Sequence, residues 1–155
     1  MVTEQDFKRA MSRWASGVAV ISTQDAKGTP LGFTATSFTS LSLNPPLVLF
    51  CLSVNASVTE GFRNAPGFVV NILGAEHQEM SRQFSSQDAD RFRGIAHAPG
   101  LLGMPVLKDA LSTLECRTQA IYPGGDHWVF MGEVHAARHR EGAPLLYFSG
   151  GYSTL

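Results

Sequence analysis

The chain has 155 residues, and its twelve basic against thirteen acidic side chains leave a net charge of −1, so it shows no electrostatic footprint for nucleic acid or an anionic membrane. An apolar fraction of 44% with ten Phe supports one core-forming domain over residues 1–155 and excludes fibrous or disordered classes. Only 16% of residues are charged, against about 25% in an ordinary soluble domain, which points to surface hidden in an oligomer.

The N-terminal run MVTEQDFKRAMSRW is charged and periodic, without the apolar centre of a signal peptide. No apolar run reaches the ~18 residues that span a bilayer, and the reading is a cytoplasmic protein. Thr3 and Asp6 form a capping box for an opening helix, with Phe7, Ala10, Met11 and Trp14 at helical spacing, Trp14 as a core anchor and Gly17 as its stop. Val18 to Thr23 then reads as a buried strand, which Asp25-Ala26-Lys27-Gly28 turns back as a hairpin.

The next stretch, Gly32 to Leu52, is the densest in signals. Between Thr34 and Ser42 six of nine side chains carry a hydroxyl. Leu31, Phe33 and Ala35 alternate with Thr34 and Thr36 as on a half-buried strand, and Ser37 and Phe38 break that register. A strand that kinks there would aim N–H groups and hydroxyls at one point. Two readings stay open: a Thr-rich strand edge before a Pro-Pro turn, or a cradle for a flat ligand with a polar rim. Leu47 to Ser53 follows as a fully buried strand.

Ser57 and Glu60 suggest a capping box for a short helix ending near Asn64, whose unpaired N–H groups, with Ser53, Asn55 and Ser57, would also suit a phosphate. Phe68 to Leu73 is a further strand. Glu76 to Phe84 is a helix with Met80 and Phe84 on one face and Arg82 off it, a surface arginine or a phosphate contact. Residues 85 to 110 show little periodicity, and a loop of that length is usually functional or covered by a partner. Leu114, Cys116, Thr118, Ala120 and Tyr122 then alternate with Glu115, Arg117, Gln119 and Ile121. Pro123-Gly124-Gly125-Asp126 turns the chain, and Trp128, Phe130, Gly132, Val134 and Ala136 alternate on the return. Glu141-Gly142-Ala143-Pro144 turns again into a last strand, Leu145 to Ser149. Six or seven hairpin-connected strands with short helices imply a mainly β, small antiparallel barrel.

Motifs for dinucleotide folds, P-loop NTPases, zinc proteases and serine hydrolases are absent. Cys51 and Cys116, far apart in apolar runs, read as buried reduced thiols. His135 and His139 share a strand face, but no third ligand is placed near them and no metal site is expected. His127 opens a strand after Gly-Gly-Asp, where an imbidazole either projects over an open site or simply faces solvent.

Taken in order, Gly17-Val18-Ala19-Val20-Ile21, Gly32-Phe33-Thr34-Ala35-Thr36-Ser37-Phe38, Ser40 to Val48, Phe68 to Leu73, Leu114-Glu115-Cys116, Gly125-Asp126-His127 and Leu145 to Tyr152 resemble the short-chain flavin reductase family. The resemblance runs from about Phe7 to Tyr152. It implies an FMN-binding split β-barrel, a homodimer, and reduction of FMN or FAD by NADH or NADPH, with reduced flavin handed to a separate oxygenase component. It places Thr34, Ala35, Thr36 and Ser37 along the flavin edge with Ser40 beside them. Cys51, Leu52 and Ser53 come under the ribityl chain, and Asn55, Ser57 and Arg82 at the phosphate. Phe84 joins the cofactor contacts, His127 stands beside the nicotinamide, and Tyr152 closes the pocket from across the dimer. The chain departs from the family pattern at Asn44, where many relatives have Asp, and at Ser22, where they have Thr. It runs only three residues past Tyr152, too few for a tail covering a dinucleotide. A flavin-binding protein without turnover, or a split-barrel enzyme acting on another substrate, are the alternative readings. The latter would want clustered arginines, and Arg63, Arg82, Arg91 and Arg93 are scattered.

Overall fold

A computed structural model describes residues 1–155, and the chain is mainly β with antiparallel pairing throughout. Helix α1, Glu4–Met11, begins as its capping box dictates: Thr3 Oγ1 accepts from the Asp6 N–H at 3.1 Å. It ends well before Gly17, because the Ser12 hydroxyl donates to the Arg9 carbonyl and the Arg13 and Trp14 N–H groups tighten into i−3 bonds. Trp14 therefore falls outside the helix and is 73% exposed rather than a core anchor. Phe7 and Met11 are exposed with it.

Strand β1 is Ser16–Gly17, followed by β2, Ala19–Gln24, and β3, Pro30–Ala35. Asp25 Oδ1 accepts from the Lys27 and Thr29 N–H groups and, with Gly28 at φ 83°, sets the β2–β3 hairpin. The chain leaves β3 at Ala35, where the alternation breaks, and resumes as β4, Thr39–Leu43, paired with β5, Pro46–Ser53. β5 alternates instead of being buried throughout: Val48, Phe50 and Leu52 enter the core, while Leu47, Leu49, Cys51 and Ser53 are half-buried on its other face. Cys51 is thus not a core thiol, whereas Cys116 is.

Helix α2 covers Thr59–Asn64. Ser57 does not cap it; Val58 stands at the cap with no side-chain bond, and the Thr59 hydroxyl donates to the Ser53 carbonyl at 2.7 Å, drawing the turn onto the end of β5. Glu60, the expected capping partner, pairs with Arg63 instead. β6, Gly67–Ile72, leads through a short 3₁₀ turn to α3, Gln78–Ser85. Residues 85 to 110 are no open loop. They form a small hairpin, β7 (His97–Pro99) with β8 (Pro105–Leu107), and bury Phe92 and Met104. Fixed contacts hold them: the Ser22 hydroxyl donates to the Pro105 carbonyl, and Asn71 Oδ1 accepts from the Leu107 N–H while its Nδ2 donates to the Val20 carbonyl and Ser22 Oγ.

β9, Ser112–Gly124, and β10, His127–His139, form the longest ladder, and two bulges correct the expected alternation. Gln119 is the extra residue between Thr118 and Ala120, so beyond it Ile121 turns to the core and Tyr122 outward. His135 is extra on β10, so Ala136 leaves the row of Val134 and lies opposite Glu115. The same bulge removes the shared row of His135 and His139. The last expected strand is a hairpin, β11 (Leu146–Phe148) with β12 (Gly151–Ser153), turning at Ser149 (φ 50°) and Gly150 (φ 82°).

The large sheet runs β3-β2-β6-β9-β10-β5-β4, and β1-β11-β12 forms a second sheet. The main core lies inside the curved large sheet around Phe50, whose ring stacks on Phe130 (4.9 Å, 6°) and meets Phe68, Phe62 and Phe33 edge-on or tilted. A second core of Val18, Val20, Leu73, Phe84, Phe92 and Leu107 lies under α3 and the 85–110 segment. No helix is long and apolar enough to cross a membrane.

Candidate functional site

Strands β5 and β10 bring the sequence candidates onto one face. His127 lies opposite Ser53 and Val129 opposite Cys51 in the ladder, and cross-strand partners project to the same side. This is the half-buried face of β5, away from the Phe50 core. The His127 ring is 45% exposed, with Nδ1 2.7 Å from Asp126 Oδ1. That hydrogen bond holds the Asp126 carboxyl below the usual carboxylate range. The Asp126 carbonyl also accepts from the Val54 N–H at 3.0 Å, tying the β9–β10 turn to the end of β5.

Ser37 explains the break in the hydroxyl-rich stretch. Its Oγ accepts from the Cys51 N–H at 3.1 Å and lies 3.0 Å from the Cys51 carbonyl, taking the place of a strand partner at that point of β5. The chain can then cross from β3 to β4 over that face, leaving Thr36 and Ser37 exposed at its rim. Ser40 is exposed on β4 opposite Val48. Asn55 donates its N–H to Ser53 Oγ at 3.3 Å.

Other candidates lie differently. Ala35 and Leu52 point into the core, so only their backbones reach the rim. The Thr34 hydroxyl donates to the Ser81 carbonyl of α3 at 2.6 Å. Tyr152 OH lies 2.7 Å from Ser81 Oγ, within its own chain, and Arg82 pairs with Glu79 while its guanidinium stands over the Tyr152 ring at 5.6 Å. Phe84 is wholly buried beneath Gly32, where a side chain would strike its ring, so Phe84 supports the strand from behind and does not line an open pocket.

Two cavities flank this region. One, of about 420 Å³, lies between α1 and the C-terminal hairpin and is lined by Trp14, Thr36, Ser37, Tyr147 and Ser149. The other, of about 290 Å³, has Gly32, Ser57 and Arg91 in its walls. Arg91 was legible in the sequence only as one scattered arginine. Its Nη1 donates to the Gly32 carbonyl at 2.9 Å, no carboxylate lies within ion-pair distance, and partial burial pushes its pKa down, which leaves a positive charge short of compensation beside Ser57. The cation in the walls of the Ser57 cavity is thus Arg91, while Arg82 contacts Glu79 and the Tyr152 ring. No three His, Cys, Asp or Glu side chains converge as a metal site would require.

A family model described as the flavin reductase like domain matches residues 11–155. The reductase subunit of a flavin-dependent monooxygenase from Rhodococcus jostii is 38% identical over 150 residues, 96% of this chain and 76% of that protein. An NADH-dependent FMN reductase from Streptomyces nodosus subsp. asukaensis is 38% identical over 156 residues, covering 97% and 84% of the two chains. Among solved structures, the NADH:FAD oxidoreductase of Streptomyces globisporus C-1027, in complex with NAD and FAD fragments, superposes with a TM-score of 0.89 at 33% identity, over 99% of this chain and 94% of that one.

Proposed function

The chain belongs to the flavin reductase-like family, and we infer from this that it takes a hydride from NADH or NADPH to reduce FMN or FAD and supplies the reduced flavin to a separate monooxygenase component. The observation that carries the assignment of the site is the face on which Cys51, Ser53 and His127 stand in adjacent ladder positions beneath the Ser37 crossing. The residues there suit a flavin. The ring is flat with one polar edge, and the rim from Thr36 to Ser40 offers hydroxyls and backbone beside an apolar floor of Leu49, Val129 and Met131.

The flavin, when bound, supplies the ring that accepts the hydride; the protein supplies orientation and charge balance. Thr36, Ser37 and the adjoining backbone would hold the polar edge, where negative charge grows as hydride arrives. Ser53 and Asn55 follow the chain of the nucleotide, and Ser57 with Arg91 take its phosphate, the function the sequence suggested for Arg82. His127, held at Nδ1 by Asp126, turns Nε2 toward the open side, where it orients the nicotinamide. Phe7, Met11, Trp14, Leu41, Leu43 and Tyr147, all exposed, are the surface we assign to a homodimer. The fold is read as one split-barrel domain, working in the cytoplasm.

Purified protein given NADH or NADPH with FMN or FAD in air should oxidise the nicotinamide only when flavin is present. No oxidation above the uncatalysed rate with either nicotinamide would defeat the reading and leave a flavin-binding protein without turnover.

A further inference from the structure

A cavity of about 470 Å³ lies far from the flavin face, at the opposite end of the β9–β10 ladder. Arg138 is eleven residues along β10 from His127, a separation of about 35 Å at strand rise. Its floor is built by the ladder itself: Arg138 stands opposite Thr113, and Ala136 opposite Glu115. The His135 bulge creates this register by shifting Ala136 and Arg138 onto the face of Thr113 and Glu115. The β7–β8 hairpin forms the other wall, with Val106 and Leu107.

The polar groups here are unusual for a stretch of surface. Thr113 and Glu115 are each only 6% exposed. Thr113 Oγ1 is the one buried side-chain polar atom with no partner. Glu115 accepts from the Leu101 N–H but makes no ion pair, although cations line the same cavity. Arg138 and Lys108 are likewise without a carboxylate within ion-pair distance, whereas Arg140 is taken by Glu76 and the Asp109 carbonyl. A buried carboxylate on β9 and two solvent-exposed cations, Arg138 on β10 and Lys108 just past β8, thus share one apolar-walled cavity without an ion pair among them.

We propose that this cavity binds a small zwitterion of the α-amino-acid class with an apolar side chain, its carboxylate on Arg138 and Lys108, its ammonium on Glu115, and its side chain against Val106 and Leu107. A simple anion would leave Glu115 unmatched and repelling it, and a simple cation would meet Arg138 and Lys108. The volume lies within the range of small-molecule sites. Nothing in this assignment depends on the flavin face.

Calorimetric titration of the FMN-saturated protein tests it, with L-leucine as probe and N-acetyl-L-leucine and L-leucinamide as controls that each lack one charge. L-leucine should bind saturably, and each control should bind about tenfold more weakly or worse, as expected for loss of a charge-assisted hydrogen bond. Arg138→Gln and Glu115→Gln should each weaken L-leucine by a similar factor while NADH turnover with FMN stays unchanged; Gln at 115 keeps an acceptor for the Leu101 N–H. No saturable binding, either control binding as tightly as L-leucine, or undiminished binding by Arg138→Gln would overturn the proposal.

Discussion

The sheet around β2, β6 and β9 and the outer face of β5 and β10 both carry polar side chains, yet they use them in opposite ways. On the first, Ser22, Thr23 and Asn71 are fully buried and each of their own side-chain polar atoms has a partner, among them the Pro105 carbonyl, the Gly67 carbonyl and the Leu107 N–H. On the second, Thr36 and the His127 ring remain open to solvent, and the bonds made there are few and local: Ser37 to the backbone of Cys51, Ser53 to the Asn55 N–H and His127 Nδ1 to Asp126. Satisfied polar groups hold the fold, and unsatisfied but accessible ones are left for a ligand. The difference also accounts for order in residues 85 to 110, which sequence reasoning treats as loop: their backbone is bonded to buried side chains.

That contrast can be broken most strongly at Asn71. Replacing it with Ala removes the side-chain acceptor of the Leu107 N–H and a donor to the Val20 carbonyl and to Ser22 Oγ, which keeps its bond to the Pro105 carbonyl, and should destabilise the protein by about 3 kcal/mol, since an orphaned buried group costs about 1–3 kcal/mol. Chemical denaturation would measure this, and the surviving folded fraction should turn over normally. His127→Ala should do the reverse. The ring is solvent-facing, so stability should hardly change, while kcat/KM for the nicotinamide falls by roughly tenfold to a hundredfold through lost orientation. An unchanged rate would remove His127 from the site.

The smallest effect concerns the two thiols. Burial, with the neighbouring Glu115 charge, pushes the Cys116 thiol up to about 12, so between pH 7 and 9 it stays protonated and inert. Cys51 is also raised by burial, but it is half-exposed on the flavin face. Titration with a thiol reagent at pH 8 should therefore find one slowly reacting cysteine in the native protein, slowed further by FMN, and a second only after unfolding. Reaction of Cys116 first would contradict the contrast between the two regions.

Much of this was legible in the sequence. The Thr3 capping box, the Asp25–Gly28 turn, the kink at Ser37 and the strands on either side follow from local chemistry and period. What escaped depended on contacts across the chain. The bulges at Gln119 and His135 leave no trace in residue type, so alternation read straight through them misplaced Tyr122 and Ala136. Ser57 has the sequence of a helix cap, but Thr59 reaches Ser53 first. The resemblance assigns Phe84 and Arg82 to the ligand; the packing of Gly32 on Phe84 and the cavity that Arg91 shares with Ser57 join residues 52 and 34 positions apart, which local reading does not reach. Trp14 fits helical spacing in a helix that stops three residues earlier.

A crystal of this protein soaked with FMN would locate the flavin. Density for the ring should lie along Thr36 to Ser40 above Cys51, with His127 on its open side and the phosphate between Ser57 and Arg91. A flavin lodged elsewhere, or a phosphate held by Arg82 with Arg91 untouched, would contradict this placement.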